Sequence, residues 1–378
     1  MTRFLAFVLL MLLTNHSLAQ GEYELVDLAE LFEPVAPNAD AIDTWGVHEI
    51  LTDGTMLAGG LSLDTEARSL FLWFPDGSVV DLLPTLGDCS IADINDSRTI
   101  LGNTHVDGQM APFVWTAEAG IEYLAVPVDG QYAYATAINN AGHVIGDCLF
   151  PGFKSGEQHA AMWRDGSCID LGTFEGGEYS DAHAINNLGQ IVGYSSTNTG
   201  PWQAFGWDDQ SGMQYLLGES VRSSVARDIN DLGQIVGSAA LSGQEFAHAT
   251  IWDEGVMIDL HNLARGQSWA EAVNLRGEVV GAITFYTAGT DETTSDFFIW
   301  EEEHGMRLIS DLIPEDCEWT PYMIQDIFDD GTVLCAGKRT RPDGRTERCS
   351  LLLRPVPEPG ALLLICVAAG VWFGLRYR

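Results

Sequence analysis

Any chemistry in this chain has to come from its histidines, acids, aromatic rings and cysteines, so their spacing is the first thing to read. His48, His105, His143, His159, His183, His248, His261 and His304 are scattered through separate stretches, and none falls in a His-Glu-x-x-His or other metal-ligand spacing. No Gly-x-Ser-x-Gly elbow and no phosphate-cradling glycine loop occurs. Carboxylates are abundant enough to supply a glycosidase-type pair, but such a pair is defined by separation in space, and no catalytic residue is assigned. Asp228-Ile229-Asn230-Asp231 opens like a calcium loop, yet Leu232 takes a ligand position and no spaced Glu follows. No metal or other cofactor is expected, with calcium the one ion left open.

Aromatic residues are the better candidates for a binding role. Tyr132, Tyr134, Tyr179, Trp202, Trp269, Tyr286, Trp319 and Tyr322 lie in long segments that differ from one another. Exposed rings can stack on sugar faces while acids accept sugar hydroxyls. Trp202, Trp269, Trp319, Tyr132 and Tyr179 are therefore the expected binding residues, the alternative being that these rings only fold their loops down. Six cysteines precede the C-terminal segment, which carries Cys366. Cys335 and Cys349 flank the turn Pro342-Asp343-Gly344, and a disulfide between them is expected. The same loop concentrates Lys338, Arg339, Arg341, Arg345 and Arg348, either a dock for an acidic polymer or a solvated loop whose charges settle on nearby acids.

The scaffold that positions these groups is strongly acidic. The 378 residues carry 18 Lys plus Arg against 54 Asp plus Glu, a net charge of −36, which argues against a nucleic-acid surface. Hydrophobic residues make up 46%, enough for a core, and 40 glycines suit a turn-rich β protein. Residues 20–355 are periodic. Ile185-Asn186-Asn187-Leu188-Gly189-Gln190-Ile191-Val192-Gly193 recurs from Ile229, with close copies from Ile94, Ile138 and Val273 and degenerate ones at Ile50 and Ile327. The Asn column reads 51, 95, 139, 186, 230, 274 and 328, which makes seven units.

Each unit adds a strand ending in Trp (Trp73, Trp115, Trp163, Trp207, Trp252, Trp300, with Leu353 in seventh place) and an Asp-Leu-type strand. The chain opens on a lone Asp27-Leu28 strand and closes on a lone Trp-type strand, Ser350 to Leu353, the two pieces missing from one unit. A ring gains from that offset, because pairing the ends removes an exposed sheet edge. An open solenoid would need polar caps instead. The expected fold is all-β: a seven-bladed β-propeller of four-stranded blades closed by pairing of the N- and C-terminal strands, with an open β-solenoid as the alternative. Asn-x-x-Gly is the hairpin turn, the closing glycine marks close strand approach, and the Trp packs between blades. Long loops share one face, and that face is where binding is expected.

His159-Ala160-Ala161-Met162-Trp163, then Asp170-Leu171-Gly172-Thr173-Phe174-Glu175-Gly176-Gly177, then Ala182 to Gly193, resembles the HAF family of extracellular repeats. The resemblance spans about 300 residues, is strongest in the central units, and implies an exported repeat protein without an established activity. The ends agree. Residues 1–19, with Arg3, an apolar run and an exit at Ser17-Leu18-Ala19, read as a secretory signal peptide. At the C-terminus Val356-Pro357-Glu358-Pro359, an apolar segment from Gly360 to Leu375 and Arg376-Tyr377-Arg378 resemble the PEP-CTERM sorting signal. That resemblance implies a sorting tail over 356–378 with a single transmembrane segment, an exosortase-type processing partner, and display at the surface of a Gram-negative-type bacterium, often alongside exopolysaccharide. The expected function is a surface-displayed, non-catalytic protein that binds polysaccharide or matrix partners through the long-loop face, or is purely architectural. A secreted glycan-degrading propeller is the alternative.

Overall fold

The computed structural model describes residues 23–28, 32, 44–61, 68–87, 89–127, 132–151, 157–198, 200–216, 221–263, 266–287, 293–340, 344 and 346–356. The expected signal peptide, the Pro357, Glu358 and Pro359 motif with its apolar segment, and Arg341 and Arg345 lie outside the described residues. Among the described residues no helix is long and apolar enough to cross a membrane.

The first strand, β1 (Tyr23–Asp27), stands apart from the one that follows it. Blade 1 is β2 (Thr44–Ile50), β3 (Met56–Leu61), β4 (Arg68–Trp73) and β5 (Val79–Asp81). Blade 2 is β6 (Ser90–Ile94), β7 (Ile100–Val106), β8 (Gln109–Thr116) and β9 (Gly120–Tyr123). Blade 3 is β10 (Ala133–Ile138), β11 (Val144–Leu149), β12 (Gln158–Arg164) and β13 (Ser167–Gly172). Blade 4 is β14 (Ser180–Ile185), β15 (Ile191–Thr197), β16 (Gly200–Asp208) and β17 (Gly212–Tyr215). Blade 5 is β18 (Val221–Ile229), β19 (Ile235–Leu241), β20 (His248–Asp253) and β21 (Val256–Asp259). Blade 6 is β22 (Gly266–Val273), β23 (Val279–Tyr286), β24 (Thr293–Glu301) and β25 (Gly305–Leu308). Blade 7 takes β26 (Thr320–Ile327), β27 (Val333–Thr340) and β28 (Thr346–Pro355), and β1 completes it.

The chain is therefore a seven-bladed β-propeller, and its ends close it as their phase requires. Antiparallel pairing sets Leu25 opposite Leu353, Val26 opposite Leu352 and Asp27 opposite Leu351. The open solenoid is not formed. One feature has no counterpart in the repeat: β2 also pairs with β28, in parallel, at Thr44–Arg348 and Trp45–Cys349, so blades 7 and 1 share one continuous sheet. Val47 N–H donates to Ser350 Oγ (2.9 Å) and Gln325 Nε2 to the Val47 carbonyl (3.1 Å) across the same junction.

Each repeat residue has a mechanical role. The tryptophans pack back onto the preceding blade: Trp115 with Leu57 and Leu72 of blade 1, Trp163 with Leu101 of blade 2, and Trp252 with Val192 and Ala204 of blade 4. In the Asn-x-x-Gly turn of blade 4, Asn186 Oδ1 accepts from the N–H groups of Leu188 (3.1 Å) and Gln190 (2.9 Å). Its Nδ2 reaches the next blade and donates to the Asn230 carbonyl (3.1 Å). The same bond runs from Asn95 to Asn139, from Asn139 to Asn186, from Asn230 to Asn274, and from Asn274 to the Phe328 carbonyl. This buried girdle ties blades 2 through 7. At the closing glycines the first two strands touch: a Cβ on Gly193 would lie 1.9 Å from the Asp181 carbonyl oxygen, and one on Gly146 would lie 1.9 Å from that of Tyr134.

Candidate functional site

The first strands of neighbouring blades pack on one another around the axis, while the fourth strands stand at the rim. Strand direction places the Asn-x-x-Gly turns and the short turns between third and fourth strands on one face. The long loops, those entering each first strand and those joining second to third strands, lie on the other.

On the long-loop face, blades 3 and 4 bring acids and aromatic rings together. Asp181, at the start of β14, accepts hydrogen bonds at Oδ2 from the hydroxyls of Tyr179 (3.3 Å) and Tyr194 (3.4 Å). Tyr194 faces Asp181 in the β14–β15 ladder, so the pair is fixed by strand register. Trp202, on β16, packs edge-on to Tyr179 (5.2 Å between centroids) and to Tyr194 (5.0 Å) and remains 43% exposed. His183 lies two residues beyond Asp181, its Nε2 3.9 Å from Asp181 Oδ2. Its Nδ1 is 2.8 Å from the Ala226 carbonyl, which can only accept, so Nδ1 carries the proton. Burial lowers the His183 pKa and favours the neutral ring. From blade 3 comes Asp147, paired with Tyr134 in the β10–β11 ladder and hydrogen-bonded to the Tyr132 hydroxyl. Burial, and secondarily the charge of Asp181, pushes the Asp147 carboxyl up to about 7. Asp181, with a side chain 23% exposed, can accept ligand hydroxyls beside three clustered rings that offer an aromatic face, while Asp147 is buried at 6%. The raised acid can also hold a proton near neutrality.

Of the residues expected from sequence, Tyr132, Tyr179 and Trp202 fall in this cluster. Trp269 stands apart on β22, half-buried, with its ring nitrogen bonded to Glu271. Trp319 is 5% exposed and lies under the Arg339 guanidinium, 4.6 Å from ring centroid to cation, so it offers no face to a ligand. The cation that covers it is itself held by Glu347 (2.7 Å) and stands 3.7 Å from Asp27, which uses up part of the local positive charge. Cys335 is set opposite Leu351 and Cys349 opposite Gly337, two ladder positions apart, and no bond joins the two sulfurs. The thiols that approach one another are Cys148 and Cys168, at 3.5 Å.

Sequence reading passed over Asp147, Asp181 and Tyr194 and gave His183 no role. Asp147 and Tyr194 share one column, the residue after the closing glycine, which also holds Asn103, Ser238 and Ala282. Chemical variety in a column of a regular scaffold was the available signal.

A second group was recognised only at Asp228, and there as the start of a calcium-like loop. Glu49, Asp93, Asp228 and Asp326 occupy the position before the Ile-Asn pair, where blades 3, 4 and 6 have Ala137, Ala184 and Ala272. Asp93 takes the N–H of Ile94 (2.7 Å) and, in the next blade, of Ile138 (2.8 Å), and Asp228 does the same for Ile229 and Val273. Burial pushes Asp93 up to about 6 and Asp326, which also feels the charge of Asp228, up to about 7. Glu49 and Asp228 are raised as well, by burial first. In the calcium-like stretch, Asp228 holds these N–H groups and Asp231 accepts from the backbone and side chain of Asn187, so their oxygens face protein donors. Among the described residues no three His, Cys, Asp or Glu are arranged to hold a metal ion.

No protein-family model matches the chain, and no curated protein matches it. Among solved structures it is similar to a puromycin hydrolase, at 13% identity and a TM-score of 0.51, over 80% of this chain and 52% of that one. It is also similar to the β-propeller domain of the Trilobed protease from Pyrococcus furiosus (12% identity, TM-score 0.46, 70% of this chain and 80% of that one). A third is a gluconolactonase from Xanthomonas campestris (12% identity, TM-score 0.42, 90% and 91%). The chain spans about half the length of the puromycin hydrolase. At these identities the likeness concerns the propeller fold alone.

Proposed function

We propose that this protein is an exported, surface-displayed propeller that binds polysaccharide, without catalysing its breakdown, through the long-loop face of blades 3 and 4. The observation that carries the reading is the convergence of Tyr179, Tyr194 and Trp202 over Asp181, with Asp147 and Tyr132 alongside. Aromatic rings and carboxylate acceptors in one place are what a hydroxyl-rich ring recognises. Export and display rest on the resemblance of the ends to a signal peptide and a PEP-CTERM signal, and an exosortase-type enzyme is the processing partner they imply. The HAF resemblance is in keeping with an extracellular location.

The raised Asp147 carboxyl beside Asp181 favours one second reading, acid-assisted glycan cleavage. One experiment addresses both. The purified protein is pulled down on a panel of bacterial and algal polysaccharides, with and without calcium, while new reducing ends are measured. Retention that Trp202→Ala and Tyr179→Ala abolish, with no new reducing ends, supports the binding module. Retention unchanged in both variants, or none on any polymer, defeats it. Reducing ends that vanish in Asp147→Asn establish the enzyme instead.

A further inference from the structure

We propose that the binding face continues across the molecule to a second aromatic platform on blades 5 and 6, so that the ligand is an extended polymer engaged at several rings rather than a single sugar. This rests on the glycan reading of blades 3 and 4.

Phe246, in the loop of blade 5 between β19 and β20, stacks on Tyr286 at the end of β23 in blade 6, with centroids 4.3 Å apart and planes 7° from parallel. Tyr286 is held by its hydroxyl, which donates to Gln267 Oε1 (3.2 Å). Beside them His248 and His261 stack at 4.3 Å, and His248 Nδ1 lies 2.8 Å from Asp259 Oδ2. Both platforms sit on the long-loop face, because Trp202 and Phe246 belong to the same loop class in successive blades. A polar ribbon connects them. Gln203, next to Trp202, donates from Nε2 to the Arg222 carbonyl (2.9 Å). Arg222 donates from Nε to the Leu241 carbonyl and from Nη2 to the Gln244 carbonyl, both at 3.2 Å. Gln244 Nε2 then donates to Asp259 Oδ2 (3.1 Å). Hydrogen bonds thus run from Gln203, the neighbour of Trp202, through Arg222 and Gln244 to Asp259 and His248, and His248, which opens β20, stands two residues beyond Phe246. A short ligand reaches one end only. A long one engages both, and its second contact forms at high effective concentration.

The test is calorimetric titration of the purified protein with gluco-oligosaccharides of about two and about six units, β-1,4- and β-1,3-linked, a short and a long ligand of the same chemistry. The longer ligand is expected to bind about tenfold more tightly, as one added aromatic contact allows. Tyr286→Ala should remove that gain and leave the short ligand's affinity unchanged, and Phe246→Ala serves as a second variant. Equal affinity for both lengths, or a loss in Tyr286→Ala that is the same for both, overturns the second platform while leaving blades 3 and 4 as a glycan site. Absence of binding at either length overturns this proposal, and the polysaccharide panel decides the reading of blades 3 and 4 separately.

Discussion

Replacing Asn186 by Ala tests whether the girdle of asparagines holds the blades together. The residue is 4% exposed, and the truncation deletes four hydrogen bonds: Oδ1 to the N–H groups of Leu188 and Gln190, and Nδ2 to the Asn230 carbonyl and Gln190 Oε1. The losses are unequal. Leu188 is 70% exposed, so water replaces its lost acceptor, and the Asn230 carbonyl keeps the N–H of Gly233 at 3.0 Å. The half-buried Gln190 N–H has no such substitute. Two net bonds at about 1 kcal/mol each, plus about 1 kcal/mol for a stranded donor, give a loss of about 3 kcal/mol. Asn140 is the control. Its backbone N–H to Asn187 Oδ1 survives the truncation, while at an exposed turn its side chain bonds Asp96 of the preceding blade twice, Oδ1 accepting from the N–H and Nδ2 donating to Oδ2, both at 2.9 Å. Water takes those over, so Asn140→Ala should cost less than about 1 kcal/mol. Urea unfolding followed by tryptophan fluorescence reads both as shifts of midpoint at constant slope. If Asn186→Ala stays within about 0.5 kcal/mol of the parent, or matches Asn140→Ala, the girdle is not what holds the blades and the bookkeeping above is wrong.

Three further substitutions probe strand packing and the inner acids. Gly193→Ala puts a Cβ 1.9 Å from the Asp181 carbonyl, so backbone must move. The expected loss is about 3 kcal/mol, the upper end for overpacking. Gly206→Ala, whose Cβ meets only Leu216 Cδ2 at 3.3 Å, should be tolerated in the same urea assay. Asp326→Asn tests the inner acids by thermal unfolding at pH 4 and pH 8. Because the folded-state carboxyl is raised to about 7, its contribution to stability is intact below the unfolded value near 4 and is lost as pH rises through about 7. That loss has a ceiling of about 4 kcal/mol, and about 2 kcal/mol is expected once the partial exposure of the residue is allowed for. Asn keeps an acceptor for the Ile327 N–H and sheds the charge, so it should match the parent at pH 4 and exceed it at pH 8. The same difference at both pH values would count against the burial argument.

The architecture was legible because each blade is specified by short-range pattern. Asn-x-x-Gly turns, alternating apolar strands and a Trp at a fixed place repeat seven times, and the half-units at the two ends state how the ring closes. Leu25 facing Leu353 is that prediction realised in register. The candidate site was legible only in part. Tyr132, Tyr179 and Trp202 could be named as loop aromatics, but so could Trp319, and nothing local distinguishes a ring left open from one roofed by Arg339. Strand pairing likewise decides that Cys335 and Cys349, on one hairpin, miss each other by two positions.

What the sequence alone determined is the blade, its number and its order, since those depend on residues a few positions apart. What only the tertiary structure decided is which columns meet across blades. Asp147 and Asp181 are brought within electrostatic reach by the packing of blade 3 on blade 4, and Glu49, Asp93, Asp228 and Asp326, spread over four blades, by ring closure. The second role of the repeat asparagine, a bond to the neighbouring blade's carbonyl, is of the same kind. Its turn-forming acceptor and the donor bond to Gln190 Oε1 lie within four residues and could be read locally, while the donor bond to the Asn230 carbonyl forms only when the next blade packs alongside.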